Sequence, residues 1–218
     1  MPVITISRQY GSGAVEIAER VCELLDYTYF DKELMIKVAG EMGISEEGVF
    51  DFSEDQYQMR GFLERLFGRR RLRVERSDLV DADAALPPDA LSEADGIDLV
   101  RDTVHAAYKH DDVVIVGRGG QAILREKPGV LHVRLNAPLG ARALRVKERS
   151  HIMLGQATDL VRDKDERASA YLARFHGIDW DNTLLYHLVI NTGKWELTDV
   201  AEVIISALNN LRIPGKTF

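Results

Sequence analysis

The chain opens with two hydrophobic patterns separated by a short turn. Residues 3–7 are mostly apolar and predict a buried strand. Apolar residues then recur at helical spacing and predict an amphipathic helix; they are Ile17, Ala18, Val21, Leu24 and Leu25. The turn between them, residues 8–13, holds Gly11 and Gly13. This order favours a phosphate-binding loop, because the free N–H groups of a helix's first turn attract an anion.

Strand and helix patterns alternate through the rest of the chain. The further predicted strands are residues 28–30, 113–117, 130–135 and 187–191, and a closing helix is predicted near 196–211. Such alternation predicts an α/β fold with a mostly parallel five-stranded sheet and helices on both faces, which makes three layers. Residues 1–218 are expected to form a single domain.

Two segments interrupt this alternation where an α/β enzyme carries mobile parts. Residues 53–95 contain a helical stretch, an arginine run at 69–76 and an acidic link with prolines, and a helix is predicted to restart near Ser92. Residues 151–181 are dense in charge. By composition alone, a solvated helix face is the simplest interpretation of that second segment.

Composition excludes several function classes. The 218 residues carry 35 acidic and 28 basic side chains, a formal net charge of -7, so nucleic acid is not an expected partner. The arginine run at 69–76 more often covers its own core or forms a homodimer contact. No apolar run approaches membrane-spanning length, and the chain enters a strand directly, without a signal peptide. We therefore expect a cytoplasmic protein with no membrane partner.

The glycine turn matches the Walker A pattern G-x-x-x-x-G-K-[ST] in architecture but not in charge. Arg8 stands at the first glycine, Gly13 at the second, Ala14 at the lysine and Val15 at the hydroxyl residue. Arg8 is the nearest substitute for the missing cation, since a guanidinium suits bidentate phosphate contact.

A series of short motifs carries a resemblance that spans nearly the whole chain. They are Ile6-Ser7-Arg8-Gln9-Tyr10-Gly11-Ser12-Gly13 with Ile17-Ala18, Phe30-Asp31-Lys32-Glu33, Val116-Gly117-Arg118-Gly119, Asn136-Ala137-Pro138 with Arg142, Asp165 with Arg167, and Leu188-Val189-Ile190-Asn191-Thr192. Their order and spacing resemble the P-loop nucleoside monophosphate kinases, most closely the cytidylate kinase-like family. True cytidylate kinases look like G-S-G-K in the loop and G-R-D after the third strand, where this chain has Ala14 and Gly119.

The resemblance implies a P-loop kinase fold with a helical, acceptor-side insertion at 53–95 and a lid at 151–181. It implies a phosphotransferase that uses ATP and Mg²⁺ to phosphorylate CMP or a related nucleoside monophosphate. The implied ATP-binding residues are Arg8, Gly11, Ser12, Gly13, Ala14 and Val15. Asp31 and Arg118 would bind the acceptor, and the implied catalytic arginines are Arg167, Arg162, Arg174 and Arg8. The Mg²⁺ ligands stay unassigned, because the usual hydroxyl and acidic residues are both missing.

Simpler interpretations of these residues stay open. The glycines can form a tight connection, Asp31 can cap a helix, and Arg118 can make a surface salt bridge. The lid charges can neutralise one another across a helix turn. Arg142 and Arg145, after the fourth strand, either reach the crevice or are solvated.

Two other functions and one expected substitution effect complete the sequence picture. The chain could be a catalytically weak nucleotide-binding regulator, which the missing lysine would explain, or a small-metabolite kinase on the same fold. At the glycine turn, Gly13→Val is expected to block phosphate approach while the fold survives.

Overall fold

A parallel five-stranded sheet forms the centre of the computed structural model, which describes residues 2–30 and 93–211, with side chains from residue 97 in the second range. Its strands are β1 (Val3–Arg8), β2 (Thr28–Phe30), β3 (Val113–Val116), β4 (Val130–Asn136) and β5 (Leu188–Asn191). The strand order is β2-β3-β1-β4-β5, and every neighbouring pair is parallel. The predicted α/β class, strand number and strand positions are confirmed, with ends that differ by one residue.

Helices connect the strands, as the alternating pattern predicts. They are α1 (Ala14–Leu25), α2 (Glu93–His110), α3 (Gly120–Ile123), α4 (Leu139–Ser150), α5 (Leu154–His176) and α6 (Leu197–Asn209), with short 3₁₀ turns at Thr183–Leu185 and Thr192–Lys194. The helix predicted to restart near Ser92 is α2. The rest of segment 53–95, with its arginine run, lies outside the described residues, and so does Asp31. The charged segment 151–181 contains the 23-residue helix α5.

The two faces of the sheet differ in polarity. Ile4 and Ile6 of β1 pack with α1 and α6 in a wholly apolar cluster. Val3, on the opposite face, packs with α2. That second face also carries buried polar side chains on β1 and β4, and their alternation with the apolar residues follows from the two-residue repeat of a strand. They are Thr5, Ser7, His132 and Arg134.

A buried arginine fastens the segment after α5 to this second face. Arg134 is 1 % exposed, and its guanidinium carbon lies 4.0 Å from the centre of the Trp180 ring. Its Nη1 donates to the Ser7 hydroxyl at 2.9 Å, and its Nη2 donates to Asp181 at 3.0 Å. The Tyr186 hydroxyl donates to the Trp180 carbonyl at 2.8 Å. This network places the chain that leaves α5 directly behind the last residues of β1.

None of the helices within the described ranges combines the length and the apolar character needed to cross a membrane.

Candidate active site

The loop after β1, residues 9–13, is the first component of the site, and we call it the glycine loop. Gly11 and Gly13 have φ angles of 79° and 84°, in the left-handed region that glycine adopts without strain. Gly13 is the N-cap of α1, which begins at Ala14. The loop therefore delivers the unbonded N–H groups of a helix's first turn to the carboxyl edge of the sheet, where ligands of parallel sheets bind.

Hydrogen bonds with the rest of the chain fix this loop. Gln9 N–H donates to the Leu135 carbonyl of β4 at 3.0 Å, and Ser12 N–H donates to the Gln9 carbonyl at 3.2 Å. Tyr10 N–H donates to Asp165 Oδ1 at 2.8 Å, so a carboxylate of α5 already lies against the loop. Gly11 and Gly13 donate no backbone N–H to another residue among those that the structure describes.

Arg142 of α4 lies beneath the glycine loop. Its Nη1 donates to the Tyr10 carbonyl at 3.1 Å and to Asp165 Oδ2 at 2.5 Å, and its Nε donates to the Ala137 carbonyl at 2.9 Å. The Arg142 and Asp165 side chains are only 7 % and 18 % exposed, so water screens the pair weakly. A solvated position for Arg142 is thereby contradicted.

Arg145 holds the loop through Thr192. Its Nη1 donates to Thr192 Oγ1 at 3.0 Å and its Nη2 to the Thr192 carbonyl at 2.7 Å. The Thr192 hydroxyl then donates to the Ser12 carbonyl at 2.7 Å. A solvated position for Arg145 is contradicted as well, because its guanidinium is occupied by the 3₁₀ turn after β5.

The N-terminus of α1 is closed on one side by apolar packing. A Cβ atom at Gly13 would lie 2.7 Å from Leu197 of α6, so a side chain there would collide even without a ligand. Ala14, at the lysine position of the Walker pattern, is buried in the apolar cluster with α6. Val15 is exposed. The Ser12 hydroxyl is buried and has no hydrogen-bond partner among the described residues, which leaves a polar atom for a ligand at this loop.

The survival of the fold in Gly13→Val stays a prediction, and the structure shows that the substitution would strain the loop itself. The substitution would combine a left-handed φ, which a β-branched residue tolerates poorly, with a collision against Leu197. A lost affinity in that variant would report the collision as much as phosphate binding.

The loop after β3, residues 117–120, is the second component, and we call it the acceptor-side loop after the role that the sequence predicts for Arg118. Gly117, Arg118 and Gly119 have φ angles of 71°, 60° and 67°, so three successive residues are left-handed. Arg118 is not a glycine, and its conformation costs about 1 kcal/mol. Backbone strain of this kind is found mostly at functional sites of proteins.

His176, at the end of α5, covers the acceptor-side loop. A Cβ atom at Gly119 would lie 2.5 Å from His176 Nε2, so any side chain there would have to displace the imidazole. Burial, followed by the positive charge of Arg101, lowers the pKa of His176 from 6.5 to about 4. The imidazole is therefore neutral at pH 7. Its Nε2 atom is buried, and no group in the described part of the chain forms a hydrogen bond with it.

Helix α5 spans both loops, and its arginines occupy different positions. Arg167 pairs with Asp163 one turn away, through Nε at 2.9 Å and Nη2 at 2.8 Å, as neutralisation across a helix turn predicts. Arg162 and Arg174 are exposed on the same helix, and the Arg174 guanidinium lies 5.1 Å from the Phe175 ring. Arg8 is the half-buried last residue of β1. Asp165 joins α5 to the glycine loop, because it accepts the Tyr10 N–H.

The family model of the cytidylate kinase-like family matches residues 3–194. The chain belongs to the cytidylate kinase-like family. The cytidylate kinase of Pyrococcus horikoshii is 26% identical over 210 residues, which cover 96% of this chain and 89% of that protein.

Solved structures agree on the fold, which is that of the P-loop kinases. An uncharacterized protein from Eubacterium ventriosum has a TM-score of 0.64 at 18% identity and covers 97% of this chain and 100% of its own. A gluconokinase from Sinorhizobium meliloti has a TM-score of 0.53 at 11% identity and covers 96% and 92%. At these identities the likeness concerns the fold alone.

This member of the cytidylate kinase-like family builds its loop supports from residues whose roles its sequence did not reveal. Arg142, Asp165 and Thr192 all lie in motifs that the sequence singled out, so the motifs were a usable signal for their importance. Leu197 and His176 lie in no motif. Within residues 2–30 and 97–211, no three His, Cys, Asp or Glu side chains cluster as a metal site.

Proposed function

We propose that this protein transfers the γ-phosphoryl group of ATP to CMP or a related nucleoside monophosphate. The observation that carries the proposal is the glycine loop at the N-terminus of α1: its Gly11 and Gly13 N–H groups have no acceptor among residues 2–30 and 97–211, while the rest of the loop is held by hydrogen bonds. Membership of the cytidylate kinase-like family supports the reaction type. The cytidylate kinase of Pyrococcus horikoshii, similar along almost the whole chain, supports CMP as the first acceptor to test.

The donor phosphates would bind at the glycine loop. N–H groups of Gly11, Gly13 and Ala14 would donate to phosphate oxygens, with the positive end of the α1 dipole behind them. The buried Ser12 hydroxyl supplies one more polar group. Arg8 would add the charge that the Walker lysine supplies elsewhere, because Ala14 is enclosed by apolar side chains.

The acceptor phosphate would bind near Arg118, beside the carboxyl end of β3. The left-handed backbone of the acceptor-side loop sets the direction in which this arginine leaves the sheet. Asp31, the other proposed acceptor residue, lies outside the described residues.

Arg167 would contribute to the transferring state, with Arg162 and Arg174 as further cations of the lid. The Arg167–Asp163 pair is partly exposed, so exchanging the carboxylate for a phosphoryl oxygen costs little, about 1 kcal/mol or less. Bound Mg²⁺ would neutralise charge on the donor phosphates. Ser12 of the loop and Glu16 of the first turn of α1 carry side-chain oxygens, and they suit a site in which the nucleotide supplies most of the ligands.

The proposal is tested by incubating the pure protein with ATP, Mg²⁺ and each of several nucleoside monophosphates and separating the products by chromatography. CDP from CMP is the expected product. Shikimate and gluconate in parallel reactions test the small-metabolite alternative, for which the fold gives no more than compatibility. Nucleotide binding without any product would support the regulatory alternative.

Two variants distinguish an active kinase, in which Arg8 replaces the Walker A lysine, from a protein that became inactive when the lysine was lost. We expect Arg8→Ala to weaken ATP binding or activation by about 1.5 to 3 kcal/mol, because a charge-assisted contact is lost. We expect Ala14→Lys to gain nothing, because an ammonium group would enter an apolar cluster. Steady-state rates of both variants beside the parent decide the matter. A large gain from Ala14→Lys with no loss from Arg8→Ala would contradict the substituted-cation mechanism.

A further inference from the structure

We propose that Arg142 and Thr192 are positioning residues for phosphate binding: they hold two carbonyl groups of the glycine loop so that the N–H groups of Gly11 and Gly13 face the ligand. The inference rests on the proposed function, since it takes phosphate to be the ligand of this loop. Neither side chain needs to touch the phosphate, because each acts through the backbone.

The first carbonyl belongs to Tyr10. Arg142 Nη1 donates to this oxygen at 3.1 Å from the side of α4. A trans peptide unit is planar, and its C=O and N–H groups point in opposite directions. The peptide that joins Tyr10 to Gly11 therefore directs the Gly11 N–H away from α4. The Gly11 backbone also lies directly on α4, since a Cβ atom there would be 2.8 Å from the Arg142 carbonyl oxygen.

The second carbonyl belongs to Ser12. The Thr192 hydroxyl donates to it at 2.7 Å, and the same geometry directs the Gly13 N–H to the opposite side. Arg145 fixes the direction of that hydroxyl, because its Nη1 donates to Thr192 Oγ1 at 3.0 Å and leaves the hydroxyl proton for Ser12. Thr192 is fully buried, so water cannot replace the bond.

Charge does not account for the role of Arg142. Asp165 lies 2.5 Å from its Nη1 and cancels most of its field at the ligand site. The same carboxylate takes the Tyr10 N–H, so every group of the Tyr10 backbone is bonded to α4 or α5. The glycine loop is thus oriented before any ligand arrives, and preorganised donors lose little freedom on binding.

The test uses three threonine variants and two phosphate probes. Thr192→Val removes the hydroxyl at nearly constant volume, and Thr192→Ser restores it. Thr103→Val is the matched control: Thr103 is also fully buried, and its hydroxyl donates at 2.9 Å to a carbonyl within α2, remote from the glycine loop. The probes are ATP and inorganic tripolyphosphate, both with Mg²⁺, and calorimetry gives their affinities. Thermal unfolding is recorded for each variant.

We expect Thr192→Val to weaken both probes about tenfold, because a buried carbonyl loses its donor and the Gly13 N–H loses its direction. Thr192→Ser should recover most of the affinity. Thr103→Val should lower the unfolding midpoint by a similar amount and leave both affinities unchanged. In turnover assays the KM for ATP should rise in Thr192→Val, while the KM for the monophosphate stays the same.

Each remaining outcome is decisive. Equal tripolyphosphate affinity in the parent, Thr192→Ser and Thr192→Val would overturn the inference and leave the proposed function standing. A parent protein that binds ATP but does not bind tripolyphosphate would have the same consequence. A parent that binds tripolyphosphate but phosphorylates no monophosphate would remove the proposed function and leave this test intact.

Should Thr192→Val fail to fold, Arg142→Lys carries the test. A lysine keeps the charge opposite Asp165 but cannot donate to the Ala137 carbonyl, the Tyr10 carbonyl and Asp165 together. We expect a severalfold loss of tripolyphosphate affinity in Arg142→Lys. An unchanged affinity there would overturn the inference.

Discussion

The glycine loop and the acceptor-side loop are built on the same plan and held in different ways. Each follows a central strand, and each ends in a left-handed glycine that is the N-cap of a helix. One side chain from a later part of the chain covers that glycine: Leu197 lies on Gly13, and His176 lies on Gly119. A side chain at either glycine would therefore displace its neighbour before any ligand binds.

The supports of the two loops differ in kind. Charged and polar groups from α4, α5 and the turn after β5 bind the backbone of the glycine loop. Backbone hydrogen bonds hold the acceptor-side loop: Gly117 N–H donates to the Ile6 carbonyl of β1 at 2.9 Å, and Gly120 N–H donates to the Gly117 carbonyl at 3.0 Å. Its helix α3 has four residues. Arg118 is held left-handed within it. A loop that binds phosphate through backbone N–H groups requires a fixed backbone. A loop that binds an acceptor through a side chain requires a fixed orientation of that side chain.

Helix α5 connects the two loops, and its Arg167 provides the largest expected effect. Arginines that stabilise a transferring phosphoryl group contribute roughly 10³ to 10⁵ in rate. We expect Arg167→Ala to lower kcat at least about 10³-fold with little change in ATP affinity. Steady-state kinetics and calorimetry measure the two. The control is Asp163→Asn, which removes the partner of Arg167 and should keep kcat near the parent value. A normal kcat in Arg167→Ala would reduce this residue to a surface ion pair.

Arg118 gives the next effect and separates the loops most directly. Asparagine tolerates the left-handed conformation, so Arg118→Asn keeps the loop and removes the guanidinium. The loss of a charge-assisted phosphate contact should raise the KM for the monophosphate about 10- to 100-fold and leave the KM for ATP unchanged. Initial rates with each substrate varied in turn give both constants. Equal changes in the two KM values would show that the loops do not act separately.

Hydrophobic pattern was sufficient to predict the sheet, because a strand buried on both faces, such as residues 113–116, must be an apolar run. The glycine loop was also predictable, since strand, glycines and helix are local in sequence. The supports were not. Arg142 and Tyr10 are 132 positions apart, and Thr192 and Ser12 are 180 apart, so no periodic pattern relates them. The sequence left Arg142 and Arg145 undecided for this reason.

At Gly13 the structure adds a second reason for a residue without a side chain. The sequence predicts that Gly13 lets the phosphates approach the backbone, and Leu197 lies where a side chain would extend. A glycine in a loop motif does not reveal whether a ligand or the protein itself approaches its backbone.

A substitution of Gly119 tests whether the protein itself restricts the corresponding glycine of the acceptor-side loop. Its expected effect is smaller than the two above and concerns stability. We expect Gly119→Ala to lower the free energy of unfolding by about 2 kcal/mol, about half from the left-handed φ and half from contact with His176. In a His176→Ala background the same substitution should cost only about 1 kcal/mol. Denaturant unfolding of the four proteins gives the coupling. Additive effects would mean that His176 does not restrict this position.

The smallest effect concerns the protonation of His176. This polar side chain covers Gly119 of the acceptor-side loop, whereas the apolar Leu197 covers Gly13 of the glycine loop. The pKa of His176 is about 4 in the folded protein and 6.5 for an unperturbed histidine. Between pH 4 and pH 6.5 the unfolded chain therefore binds more protons than the folded protein. Stability that is fully present above pH 6.5 is therefore lost as the pH falls toward 4. Because the ring is only partly enclosed, we expect a loss of about 1 kcal/mol at pH 5 from this group.

His176→Gln keeps a polar side chain of similar reach and cannot titrate, so its unfolding free energy should fall less between pH 7 and pH 5 than that of the parent. Burial and the neighbouring His187 also lower the pKa of His132, to about 4. His132 therefore makes stability depend on pH in the same direction, and it is present in both proteins. Denaturant unfolding at the two pH values gives the difference, in which the His132 contribution cancels. Parallel pH profiles in His176→Gln and the parent would mean that His176 is as well solvated in the folded protein as in the unfolded chain. The two loops would then differ in the groups that hold their backbones, and the ionisation of His176 would not distinguish them.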